Sequence, residues 1–211
     1  MIVMENDMPS IRKSGRPLSF DRDAVLEKAM LTFWRYGYET TSISDLTEAM
    51  GVTAPSIYTA FGSKKRLFLE AMRLYAGSPE DLEQSLWEAP TARDAVHGML
   101  IATAEAFTGE TTPRGCLLAS ATASGSKDAA DVREAVAEVR RGIMNRLRAR
   151  IEHDVTTGVL PYDTQATSLA AFAIALIQGM SVLARDGAQR NSLKAMVKTA
   201  MAAWPRELDL S

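Results

Sequence analysis

Thr40-Thr41-Ser42-Ile43-Ser44-Asp45-Leu46-Thr47-Glu48-Ala49-Met50-Gly51-Val52-Thr53-Ala54-Pro55-Ser56-Ile57-Tyr58-Thr59-Ala60-Phe61 is the stretch around which the chain is organised. Its spacing predicts two short helices around a tight turn. Ser42 stands as an N-cap, with Asp45 three residues on, an acidic form of the capping box. Ile43, Leu46, Ala49 and Met50 make one apolar helical face. Gly51 supplies the left-handed residue at which the helix stops and turns. Thr53 caps the second helix, and Pro55 fits its first turn, where a missing N–H costs nothing. Ile57 and Phe61 remain for the inside, and Ala54, Ser56, Tyr58, Thr59 and Ala60 face out. A small, hydroxyl-rich outer face of this kind fits a DNA major groove. Two short helices around a glycine are also ordinary packing in all-α proteins, so the flanks have to decide.

The 211 residues allow one large or two small domains, with 46% hydrophobic and 24% charged residues, as in a soluble globular chain. The single cysteine, Cys116, excludes an internal disulfide and fits a reducing cytoplasm. The first residues carry Glu5 and Asp7 and no long apolar run, which excludes a signal peptide. The most apolar run, Leu169 to Leu183, is read as too short to span a bilayer and as a buried helix, so no membrane partner is expected. The net charge of −2 hides an asymmetry: residues 1–76 carry ten basic and nine acidic side chains, the remainder fourteen and seventeen. The positive part is the one with the helix–turn–helix, which supports nucleic-acid binding.

Residues 1–19 are polar, with Arg12, Lys13 and Arg16 clustered around Gly15 and Pro17. Such a basic arm either lies in an adjacent minor groove or stays a solvated tail. A first helix is expected from Asp21 or Arg22 to Tyr36, with Val25, Leu26, Ala29, Met30, Phe33 and Trp34 inward. A fourth runs from Lys64 to Ala76, capped by Ser63. Lys64, Lys65 and Arg66 crowd its N-terminus against the helix dipole, which a DNA phosphate would relieve. Beyond Gly77-Ser78-Pro79 only helices follow: Pro79–Ala89, Thr91–Thr108, Cys116–Ala123, Ala129–Thr156, Thr164–Arg185 and Ser192–Trp204. No strand is expected.

The first four helices resemble the TetR family of bacterial transcriptional regulators. The resemblance rests on Ala29, Phe33-Trp34, Gly37-Tyr38, Thr40-Thr41-Ser42-Ile43, Leu46, Met50-Gly51-Val52, Ser56-Ile57-Tyr58, Phe61, Ser63-Lys64 and Leu67-Phe68. It implies an all-α fold: a helix–turn–helix DNA-binding domain at 20–76 and a C-terminal helical bundle at 77–211 for ligand binding and dimerisation, preceded by the basic arm. It also implies a palindromic double-stranded operator as partner. By position, Thr41, Ser42 and Ser44 start the second helix near the DNA backbone. Thr53, Ala54, Pro55, Ser56 and Thr59 line the recognition helix, and Tyr58 and Lys64 reach phosphate. The recognition helix carries no Arg, Lys, Asn or Gln, so bidentate base readout is not available from it. Thymine-methyl contacts, hydroxyl contacts and DNA shape are left to specify the site.

The terminal helices carry wide apolar faces: Leu169, Phe172, Ala173, Leu176, Ile177 and Met180, then Leu193, Met196, Val197, Ala200 and Met201. With the resemblance these are expected to form a four-helix homodimer interface. Burial within one subunit is the other use. An effector pocket is expected from among Met99, Thr103, Phe107, Cys116, Leu118, Met144, Leu147 and Phe172, for a small molecule the sequence does not identify. Cys116, after Arg114 and at a helix start, is either a reactive thiol or, with Leu117 and Leu118 following, plain core. His97 and His153 lie far apart, and no phosphate loop, metal-ligand spacing or nucleophile motif occurs, so no enzyme, metal or cofactor is expected. The expected function is a cytoplasmic, ligand-responsive repressor. The alternative is a DNA-binding protein or activator with no effector.

Overall fold

The computed structural model describes residues 20–121 and 129–205, and every regular element among them is a helix. Residues 122–128 include the end of the expected Cys116–Ala123 helix, which therefore lies partly outside the described residues. The order is α1 (Arg22–Tyr36), α2 (Ile43–Met50), α3 (Ala54–Phe61), α4 (Lys64–Ala76), α5 (Pro79–Glu88), α6 (Ala92–Phe107), α7 (Leu117–Ser120), α8 (Ala130–Thr156), α9 (Ala166–Arg185) and α10 (Arg190–Ala202).

The caps are those the local chemistry requires. Ser42 accepts from the Asp45 amide while the Asp45 carboxylate accepts from the Ser42 amide at 2.7 Å, a reciprocal capping box. Gly51 closes α2 at φ +71°, in the left-handed region open to glycine. Thr53 caps α3 and Ser63 caps α4 through their side-chain oxygens.

Packing begins with α1 against α4. Phe33 and Phe68, both fully buried, meet edge-on with ring centroids 5.2 Å apart. Leu46, Ile57 and Phe61 seat α2 and α3 on that pair, and the same apolar cluster continues into α5–α10. The C-terminal helices are tied by one buried ion pair, Arg150 with Asp154. Arg150 also donates to the carbonyls of Leu86, Ala89 and Pro90, and Asp154 accepts from the Ala92 amide at 2.6 Å. One pair on α8 thus satisfies the end of α5 and the start of α6. With its other lone pairs and protons used, the burial of two charges is tolerated.

Two expectations change here. By length and composition α9, at 20 residues, is able to cross a membrane, because the helix extends past the apolar run at both ends. Length therefore does not exclude a span, and what describes α9 is its packing on α6 and α8 with Ala170, Ala173 and Met180 fully buried. On α10, Leu193, Val197, Ala200 and Met201 are buried within the subunit, as are Ala173, Leu176 and Met180 on α9. These seven are not a free dimer face. Alanine-rich helices are apolar over a wide arc, and α10 turns its apolar side onto α6, with Arg93 donating to Met201 O at 3.2 Å. The apolar residues left outside on α9 are Phe172, Val182 and Leu183, joined by exposed Ala171 and Ala175. Leu169, Ile177 and Met196 are half-buried.

Candidate nucleic-acid interface and ligand cavity

The outward surface of α3 is built from its N-cap onward. Thr53, Pro55, Tyr58 and Thr59 are exposed, and Ala54 and Ser56 half-buried. Ala60 departs from its expected place: it packs against the core. The hydroxyls are partly committed. Thr53 Oγ1 and Ser56 Oγ lie 2.9 Å apart, and Thr59 Oγ1 donates to Pro55 O at 2.8 Å. A donating hydroxyl keeps its lone pairs, so this face offers acceptors and methyl groups more than donors. The exposed amino groups of adenine and cytosine and the thymine methyl are the base features such a face can meet.

Donors for phosphate stand beside it. Tyr58 is 48% exposed and its hydroxyl makes no hydrogen bond among the described residues. Lys64 is half-buried, its Nζ 3.4 Å from Glu39 O and 4.7 Å over the Tyr38 ring. Burial lowers the Lys64 pKa from the usual lysine value, against the opposing pull of Glu39 and Asp45. The same burial raises that of Tyr38. The ring and carbonyl fix the ammonium in one place and leave it further protons to donate. Ser42 and Ser44 are exposed at the start of α2.

Five expected contacts are corrected or fall elsewhere. Thr41 is fully buried and donates its hydroxyl to Gly37 O at 2.6 Å, so it shapes the turn before α2 and presents nothing to a backbone. Lys65, grouped with Lys64 and Arg66 as a phosphate cluster, pairs with Asp131 at the start of α8. A partner 66 residues away is invisible to a helix-end argument. Arg12, Lys13 and Arg16 lie outside the described residues.

A cavity of about 1130 Å³ opens between α1 and the C-terminal helices. Met99, Thr103, Phe107, Cys116 and Leu118 line it as expected. Met144 packs into the core beside it, Leu147 is buried away from it, and Phe172 is 42% exposed on the outside of α9, so these three are not part of the wall. The wall also contains residues that sequence reasoning missed: Leu26, Met30 and Trp34 of α1, Tyr75 of α4, and Ile174, Ile177 and Gln178 of α9. Gln178, an amide inside an apolar run, was the one local signal. The Tyr75 hydroxyl is pushed far above the ordinary tyrosine range, chiefly by burial and next by Cys116. Cys116 itself is 5% exposed, and its amide donates to Ser181 Oγ at 2.8 Å. Among the described residues no cluster of three metal-ligating side chains occurs.

The comparisons with known proteins agree over nearly the whole chain. The family model for bacterial regulatory proteins of the tetR family matches residues 25–71. The model for the tetracyclin repressor-like C-terminal domain matches residues 94–200. The chain is 35% identical over 199 residues to the HTH-type transcriptional repressor ComR of Escherichia coli (strain K12), covering 92% of this chain and 94% of that protein. A shorter match, 38% over 76 residues, spans 36% of this chain and 39% of the uncharacterized HTH-type regulator YezE of Bacillus subtilis (strain 168). Among solved structures, a cysteine mutant of the TetR family regulator CifR, complexed with 26 bp double-strand operator DNA, superposes with a TM-score of 0.85. It is 40% identical, and the match covers 90% of this chain and all of that one.

Proposed function

The chain belongs to the TetR family of bacterial transcriptional regulators, and from that membership we propose that it is a ligand-responsive repressor that binds a palindromic operator as a homodimer. A member of this family is a DNA-binding regulator and not an enzyme. The observation that carries the reading is the outward α3 face, with the Tyr58 hydroxyl unpartnered and the Lys64 ammonium held over Tyr38 beside it. That the CifR mutant is seen on operator DNA, and that ComR is named a repressor, support it.

In this reading residues 20–76 form the DNA-reading unit and 77–211 the effector-binding and dimerising unit, with the basic residues of 1–19 beside the DNA. The protein works in the cytoplasm, where its operator is. Two α3 helices related by a two-fold axis enter successive major grooves one helical turn apart, and the outward stripe of Phe172, Ala175, Val182 and Leu183 on α9 joins the subunits. A molecule in the cavity presses on α1 as well as α4, so it shifts the separation of the two α3 helices and releases the DNA. Nuclease footprinting on DNA flanking the protein's own coding region tests this. Two protected half-sites with two-fold symmetry are expected, and protection without symmetry would refute it.

A further inference from the structure

We infer that the cavity takes an uncharged, largely apolar molecule bearing one hydrogen-bonding group, and that Gln178 receives that group. The inference rests on the ligand-responsive reading above and specifies its ligand.

The walls set the body of the ligand. Leu26, Met30, Trp34, Met99, Ile174 and Ile177 give apolar surface from α1, α6 and α9, and such a lining favours a molecule that sheds little water on entering.

The charges exclude an ion. Among the described residues the carboxylates on the wall are Asp21, Asp23 and Glu27, and all three are exposed at the start of α1. Asp21 is already committed to the Asp23 and Ala24 amides, at 3.0 and 3.3 Å. Among the described residues Arg140 is the only lysine or arginine on the wall, and it has interactions of its own. An anion in the cavity would share its wall with three carboxylates and one arginine. A cation that reached Trp34 and Tyr75 would find no buried carboxylate there among the described residues, where the one buried aspartate, Asp154, is not on the wall and is paired with Arg150. An ion buried without a partner is strongly disfavoured.

Among the described polar side chains of the wall that are not exposed, Gln178 is the one with both a donor and an acceptor uncommitted. Thr103 donates to Met99 O at 2.8 Å, and the Tyr75 hydroxyl faces Cys116. Ser85 is exposed to solvent. The Gln178 amide is half-buried, lines the cavity between apolar neighbours, and has no hydrogen-bond partner among the described residues. Half-buried amides seek a partner, and a molecule in the cavity can supply one.

Two dyes of one skeleton test this on the full-length protein. N-phenyl-1-naphthylamine is uncharged and has a single N–H; 1-anilinonaphthalene-8-sulfonate adds an anionic group to the same rings. The neutral dye is expected to bind about tenfold or more tightly than the sulfonate, with quenching of Trp34 emission. Gln178→Leu should weaken the neutral dye about fivefold and leave the sulfonate unchanged. Gly98→Trp should abolish neutral-dye binding, because Gly98 lines the cavity and a Cβ there meets nothing within 4 Å, which leaves room for an indole to enter the space. Equal affinity for the two dyes, an unaffected Gln178→Leu protein, or full binding to folded Gly98→Trp would each overturn the inference. Operator binding by the dye-free proteins is measured in parallel. Its loss in all forms would remove the regulator reading, whereas the dye ranking decides the cavity alone.

Discussion

Trp34 donates its indole N–H to the carbonyl of Gly115, 2.8 Å away in space and 81 residues along the chain. The bond joins the last turn of α1 to the turn that enters α7. Arg185 of α9 closes the corner, donating to Trp34 O at 2.9 Å and Cys116 O at 3.4 Å. The DNA-reading helices and the C-terminal bundle therefore share a polar clasp as well as an apolar core. Trp34→Phe keeps the edge-on contact with Tyr75, whose ring centroid is 4.8 Å away, and orphans a buried carbonyl. The expected cost is about 1–3 kcal/mol, a fall in Tm of roughly 2–12 °C for a chain of this size. Calorimetry measures it, and an unchanged Tm would show that the clasp contributes nothing.

Two glycines of the same φ sign separate backbone strain from crowding. Gly51, at φ +71°, has open space where a Cβ would lie, whereas at Gly115, φ +78°, a Cβ would meet Ser181 O at 2.8 Å and Arg185 Nε at 2.9 Å. Gly51→Ala should cost about 1–2 kcal/mol, the left-handed penalty alone. Gly115→Ala should cost clearly more, because backbone must move. Urea unfolding of the two variants gives the comparison, and equal losses would contradict the close approach of α7 to α9.

Asp45 predicts a pH dependence of α2. Hydrogen bonds from the Ser42 backbone and then its side chain hold the carboxyl below the usual aspartate range. A folded-state pKa below the unfolded one means that the stabilisation is complete above the unfolded pKa. It is lost as pH falls through the folded one. The stability difference between the protein and Asp45→Asn should thus be largest near neutrality and shrink below the ordinary aspartate pKa. Urea midpoints at pH 7 and at about pH 3 test this, and a difference that grew on acidification would refute it.

The outward stripe of α9 predicts the subunit contact. Val182 is 57% exposed and Phe172 42%. Val182→Glu places a charge at the centre of an apolar patch, and sedimentation should show monomers with unchanged helical content. Operator affinity should fall about a hundredfold or more, because one half-site no longer assists the other. Leu193→Glu, buried inside the subunit, should instead unfold the protein. A Val182→Glu protein that remains dimeric would move the interface elsewhere.

Much of this was legible residue by residue. Ser42 with Asp45, Gly51, Thr53 and Ser63 declare where helices begin and stop, because capping is chemistry between near neighbours. The inward sides of α1–α4 follow largely from spacing, although Ala49 of α2 is exposed and Ala60 of α3 packs inward. What was not legible depends on distant partners. Thr41 looks like an exposed turn hydroxyl until Gly37 O is brought to it. Lys65 looks free until Asp131 arrives. The inner side of α10 cannot be read from a helix rich in alanine and methionine. Nor does periodicity show that α1 would leave Leu26, Met30 and Trp34 facing a cavity rather than filled core.

The most direct measurement of the central claim is fluorescence anisotropy of the full-length protein on labelled DNA flanking its coding region, at several salt concentrations. Tyr58→Phe/Lys64→Ala is measured beside it. Tight binding to one palindrome, a log–log salt slope that becomes shallower in the double variant, and uniform weakening across sequences are the predicted results. A folded dimer that binds no DNA, or a double variant that binds as the parent does, would contradict the account and return α2 and α3 to a packing role.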